Sequence, residues 1–142
     1  MDKRRFERVP VAVDIEILVL RKGSGEIVGG PVAAAVVDVS PAGAGLTLAS
    51  IRAGALHLFY GPKDDLNLVL RLRFSGEDGA PRHIDVIPVW FDKELDSAPP
   101  FYRLGVEFIE RPASPSVREL LRILKPAGSI GRWLRELFGE RV

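Results

Sequence analysis

Two short stretches carry side chains whose type and spacing could do chemistry. In Lys3 to Val9 (KRRFERV), Arg4 and Arg8 stand four residues apart, directly before a run of β-branched residues. In Asp38 to Gly43 (DVSPAG), an Asp, a Ser and a Gly follow one another at i, i+2 and i+5. A guanidinium can fork onto a phosphate, pair with a base edge, or stack its plane on a base. A carboxylate and a hydroxyl at a turn offer acceptors, and a glycine lets backbone come close or supplies a positive φ. Such groups can bind a polar or charged partner rather than catalyse. Each stretch also has a plainer reading: a basic tail is usually solvated, and Asp-x-Ser-Pro is usually a turn that satisfies its own backbone.

Other chemistry is poorly supported. Cysteine is absent, which removes disulfides and thiolate chemistry and suits a reducing cytoplasm. His57 and His83 lie far apart without a metal-ligand pattern around them. Asp64 with Asp65, and Glu94 with Asp96, fall in polar connections where solvated carboxylates are expected, so no catalysis is expected. Trp90 and Trp133 each sit on an apolar pattern and read as core aromatics. The net charge is +1, from 20 basic and 19 acidic residues, so no global field gathers nucleic acid or an anionic membrane. No apolar run approaches the length of a membrane span, and MDKRRFERVP lacks the apolar stretch of a signal peptide.

The elements that must position these residues are mostly strands. Val9 to Leu20 alternates, with Val11, Val13, Ile15, Ile17 and Val19 on one face. Arg21 to Pro31 (RKGSGEIVGGP) reads as a turn, and strands follow at about Val32 to Val39 and Ala44 to Ala49. Ser50 to Asp65 has no clear pattern. Leu66 to Phe74, Arg82 to Asp92 and Phe101 to Glu110 supply three more strands, with Pro88 marking an edge or a bulge. Helical spacing comes only afterwards. It joins Val117, Leu120, Leu121 and Leu124, with Ser116 and Glu119 spaced as a capping box, and it recurs over Ile130 to Phe138.

Together the two stretches resemble the paired motifs of the PilZ family, R-x-x-x-R and [D/N]-x-S-x-x-G, in that family's order. Tyr102 to Phe108 (YRLGVEF) is similar to the family's late strand, so the resemblance covers roughly Lys3 to Leu124. It implies an all-β fold with a terminal helix. This is a six-stranded antiparallel β-barrel of split-barrel type, closed by a C-terminal α-helix. The chain then divides into an arm at 1–8, flexible because it carries like charges and little apolar surface, a barrel with its helix at 9–125, and a tail at 126–142 whose short extra helix has no counterpart in the family and rests on its apolar spacing alone.

By the same resemblance the ligand is cyclic di-GMP, and Arg4, Arg8, Asp38, Ser40 and Gly43 hold it. The arginines would take phosphates and guanine O6 and N7, and Asp38 the guanine N1 and N2 donors. No cofactor is implied beyond that ligand. A binding domain without catalysis must signal by a changed surface, which calls for a protein partner, and a homodimer is left open. The expected setting is the cytoplasm, without membrane insertion and without DNA or RNA. The alternatives are a ligand-independent adaptor on the same fold and, more remotely, a small barrel for single-stranded nucleic acid, for which Arg71, Arg73 and Arg82 are the only hint.

Overall fold

A computed structural model describes residues 9–109 and 114–123, with side chains from Val13 onward. Six long strands close into one antiparallel barrel. They are β1 (Val9–Arg21), β2 (Ile27–Val39), β3 (Gly43–Leu48), β6 (Leu68–Ser75), β7 (Pro81–Glu94) and β8 (Phe101–Phe108). Around the barrel the order is β1-β2-β3-β8-β7-β6, and the β6–β1 ladder completes the ring.

Alternation decides which residues enter. Ile15, Ile17 and Val19 of β1, Leu46 of β3, Leu70 and Leu72 of β6, Ile84 and Val86 of β7, and Leu104 of β8 fill the interior and are almost fully buried. Every methylene removed from water there favours closure by about 0.8 kcal/mol, and a closed ring leaves no edge strand for other chains to pair with.

Each end of the barrel is plugged. At one end lies helix α2 (Pro115–Ile123), whose Val117, Leu120 and Leu121 join the core. At the other end sits the stretch that sequence could not assign, a two-residue ladder of β4 (Arg52–Ala53) with β5 (Leu56–His57) followed by helix α1 (Tyr60–Asp64). Its Ile51, Ala53 and Leu58 are buried against the core. The His57 ring packs edge-on against Phe91, with 5.0 Å between centroids.

Two expectations are corrected. β2 begins at Ile27, so Gly29, Gly30 and Pro31 belong to the strand and the turn shrinks to Lys22–Glu26. Gly30 has φ +91°, and a Cβ there would meet the Ile17 carbonyl oxygen at 2.5 Å, so the glycine serves a close strand crossing. The capping box at Ser116 and Glu119 does not form. The helix starts two residues earlier, where the Ser114 hydroxyl oxygen accepts from the Val117 amide at 3.3 Å and Pro115 takes the first helical position. Glu119 instead accepts from the Glu77 amide at 2.9 Å, tying α2 to the β6–β7 turn. The second helix expected at 130–138, like Leu124, lies outside the described residues.

Candidate functional site

The DVSPAG stretch closes β2 and opens β3. Ser40 donates its amide to the Gly43 carbonyl at 2.9 Å, and its hydroxyl oxygen accepts from the Ala42 amide at 3.3 Å. Ser40 is 4% exposed. Its oxygen therefore shapes the turn from within. Gly43 does not have a positive φ, which corrects that part of the expectation. Its need is space: a Cβ there would lie 2.0 Å from the Val106 carbonyl oxygen of β8.

Asp38 stands on the outer face, and the reason is one extra residue. Val36 pairs with Leu46 and Asp38 with Gly45, so Val37 is a bulge that resets the alternation. The carboxylate reaches over Gly45, whose missing Cβ would sit 2.7 Å from Asp38 Oδ1. On the far side of the same row the device repeats. Pro88 pairs with Val106 and Trp90 with Gly105, leaving Val89 as the extra residue. Trp90 is thereby turned outward and is 45% exposed. Its indole Nε1 occupies the space that a Cβ on Gly105 would need, 2.2 Å away. Gly45 and Gly105 are themselves register partners.

The result is one row across four strands, Asp38–Gly45–Gly105–Trp90, with a carboxylate and an indole facing each other over paired glycines. The reading of Trp90 as a core aromatic is overturned by the bulge. Pro88 had marked that bulge in the sequence. Counting one extra residue after it sends Trp90 out and Phe91 in, which is the signal that could have found the indole. Thr47 and Arg103 pair in the neighbouring row, and Glu107 opposite Gly43 in the other.

The first residues of β1 meet this row. Val9 pairs with Val39 and Pro10 with Asp38, so β1 starts beside the turn and the acidic residue. Arg4 and Arg8 themselves lie outside the described residues. Among the described residues no group of three His, Cys, Asp or Glu side chains could hold a metal, and no helix is long and apolar enough to cross a membrane.

A closed six-stranded barrel with a helical plug and an external row of acid, glycines and indole defines a small β-barrel domain built around its outer surface. The chain belongs to the PilZ domain family, whose model matches residues 2–125. Among solved structures it is similar to the PilZ domain with c-di-GMP of YcgR from Escherichia coli, at 20% identity and a TM-score of 0.51. That match covers 99% of this chain and 100% of that one. It is also similar to the Borreliella burgdorferi PlzA protein in complex with c-di-GMP, at 14% identity and a TM-score of 0.54, with 99% of this chain covered. The chain spans about half of that protein's length, 55%. No curated protein matches.

Proposed function

We propose that the chain is a cyclic di-GMP receptor, which holds the dinucleotide on the outer face of β3 and β8 between the arginine arm and the Asp38–Trp90 row. The observation that carries this reading is the row itself. Asp38 offers acceptors to the N1 and N2 donors of guanine, Trp90 offers an exposed ring for stacking, and the two glycines leave room between them. The register of β1 supports the arm's part. Arg8 is the chain neighbour of Val9, which pairs next to Asp38, and Arg4 lies within about 14 Å of chain further on. Two arginines bring the positive charge that the dinucleotide's two phosphates require. Further support comes from the similar YcgR and PlzA structures, both solved with c-di-GMP bound.

In this mechanism the ligand orders the arm. Fixing a residue's backbone costs about 1–2 kcal/mol, and residues 1 to 8 carry only Phe6 as a large apolar anchor. Phosphates supply the charged partners that offset that cost. The new surface made by arm and ligand is then what a protein partner reads. The nucleic-acid alternative is weakened by the outer arginines, since each has a carboxylate of its own. Arg71 is bidentate on Asp85 at 2.7 and 3.1 Å, Arg73 meets Glu16 at 2.6 Å, and Arg82 meets Asp78 at 3.1 Å.

Calorimetric titration with cyclic di-GMP tests the assignment. Saturable binding by the wild type is expected, weakened at least tenfold in Arg4→Ala and in Arg8→Ala, and less in Arg5→Ala. Trypsin should also cut after Arg4, Arg5 or Arg8 more slowly once ligand is bound. No binding by folded wild-type protein would leave the ligand-independent adaptor as the function.

A further inference from the structure

The opposite side of the barrel carries an apolar strip that the receptor reading does not use. Leu18 and Leu20 of β1 fall on the outward phase of the strand, between the inward Ile17 and Val19, and they pair with Arg71 and Val69 of β6. Outward residues on a strand that packs its other face in the core are usually polar, as Asp14 and Glu16 are on this same strand. Yet Leu18, Leu20 and Val69 are 4%, 2% and 5% exposed, and none belongs to the core cluster. The described residues around them leave concavities of about 470 and 290 Å³ beside Leu20 and Arg71. Ile27, which pairs with Leu20, and Ile109 stand at the rim, 55% and 53% exposed.

We propose that this strip is the seat of the chain's own segment 130–138, which lies outside the described residues. Its sequence, IGRWLRELF, places Ile130, Trp133, Leu134, Leu137 and Phe138 at helical spacing on one face, with Arg132, Arg135 and Glu136 interspersed. Nine residues as a helix measure about 13.5 Å. The row Ile27–Leu20–Val69 crosses three adjacent strands, about 10 Å between its outer backbones before side chains are added, so the strip is of that scale.

The connection also reaches. Helix α2 ends at Ile123 and is tied through Glu119 to the turn after β6, the strand that carries Val69. The six residues 124–129 span up to about 20 Å when extended. Val69 stands at the other end of β6 from that turn, about eight residues of strand away, so the six-residue connection and the last turn of α2 together reach the strip. An apolar segment tethered within reach of it meets it at a far higher effective concentration than a second molecule can.

The absence of cysteine allows a single spin label to test this in the full chain. A nitroxide at Ile27→Cys should broaden the indole N–H resonance of Trp133 well beyond that of Trp90, which faces out from β7. Adding Val69→Asp should restore the Trp133 signal. If that variant does not fold, Leu134→Asp does the same job without touching the barrel. Equal broadening of the two indoles overturns the proposal, and so does broadening of Trp133 that survives Leu134→Asp. Labelled protein mixed with isotope-enriched, unlabelled protein covers the remaining occupant. If broadening of Trp133 appears between molecules, a second copy sits on the strip and the intramolecular seat is wrong.

Discussion

The two outer faces of this barrel are built from the same ladder and end up chemically opposite. Over β3 and β8 the outward positions are Gly43, Gly45, Thr47, Arg103, Gly105 and Glu107, with Asp38 and Trp90 reaching in from either side. Over β1 and β6 they are Glu16, Leu18, Leu20, Val69, Arg71 and Arg73, with the cations paired to carboxylates and the leucines dry. Removing side chains from one face makes a shallow surface where a flat ligand can lie against backbone. Adding apolar side chains to the other makes a surface that must itself be covered. The closed barrel offers faces rather than an edge strand for binding, and the glycines keep one of those faces open.

The largest expected effect separates the glycine that serves the turn from the glycine of the open row. Gly43→Ala puts a Cβ where the Val106 carbonyl oxygen stands, and backbone cannot swing aside as a side chain can. We expect a loss of about 3 kcal/mol or more, measured by urea denaturation without ligand. Gly105→Ala meets the Trp90 indole first, and that ring is 45% exposed and can rotate away. Its stability should therefore change little while cyclic di-GMP binding falls. If Gly43→Ala is as stable as wild type, the close approach of the turn to β8 is not what that glycine serves.

Next come the two side chains that flank the glycines. Trp90→Ala should cost about 1–3 kcal/mol of ligand affinity, the range for losing a base–aromatic stack. Asp38→Ala should cost at least about 1.5 kcal/mol, with Asp38→Asn between it and wild type because one carbonyl oxygen remains. Calorimetry on proteins with matched thermal midpoints reads these losses as binding alone. Arg71→Ala on the opposite face is the converse. Its pair with Asp85 is about 30% exposed, so it should lower stability by no more than about 1 kcal/mol and leave affinity unchanged. An affinity loss in Arg71→Ala matching that in Trp90→Ala would mean that the ligand does not choose between the faces.

Much of this could be read before any coordinates. The six strands, the helix after them and the paired motifs lie on local patterns: period two from Val13 to Val19 and from Leu68 to Phe74, period 3.6 from Val117 to Leu121. What escaped was phase. A single extra residue at Val37 or Val89 leaves composition and propensity untouched and flips every side chain beyond it, so Trp90 looked buried when it is half open. Gly29 to Pro31 looked like a turn because glycine's permissiveness serves strand crossings as well as turns. The β4–α1 insert was opaque because its elements are too short to show a period.

The smallest expected effect concerns a residue that belongs to neither face. His57 sits in the plug at the barrel mouth, where its Nδ1 accepts from the amides of Phe59 and Tyr60, both at 3.1 Å. A protonated Nδ1 cannot accept. Burial of the ring, and then repulsion from Arg52 on the facing strand, hold its pKa below the ordinary 6.5. The unfolded chain therefore binds the proton more readily than the native one, and stability rises with pH through this window. The stabilisation is full above about pH 6.5 and is lost as pH falls toward the lower native value. Thermal midpoints at about pH 8 and about pH 5.5, either side of the imidazole's range, should differ more in wild type than in His57→Gln. The amide oxygen of glutamine can still accept but does not titrate. Ligand affinity should follow the same pH course in both proteins, since the plug lies off the glycine row. A change of affinity in His57→Gln would show that the mouth and the open face are coupled, and Phe91, which packs on His57 and adjoins Trp90 in β7, is the residue through which that coupling would run.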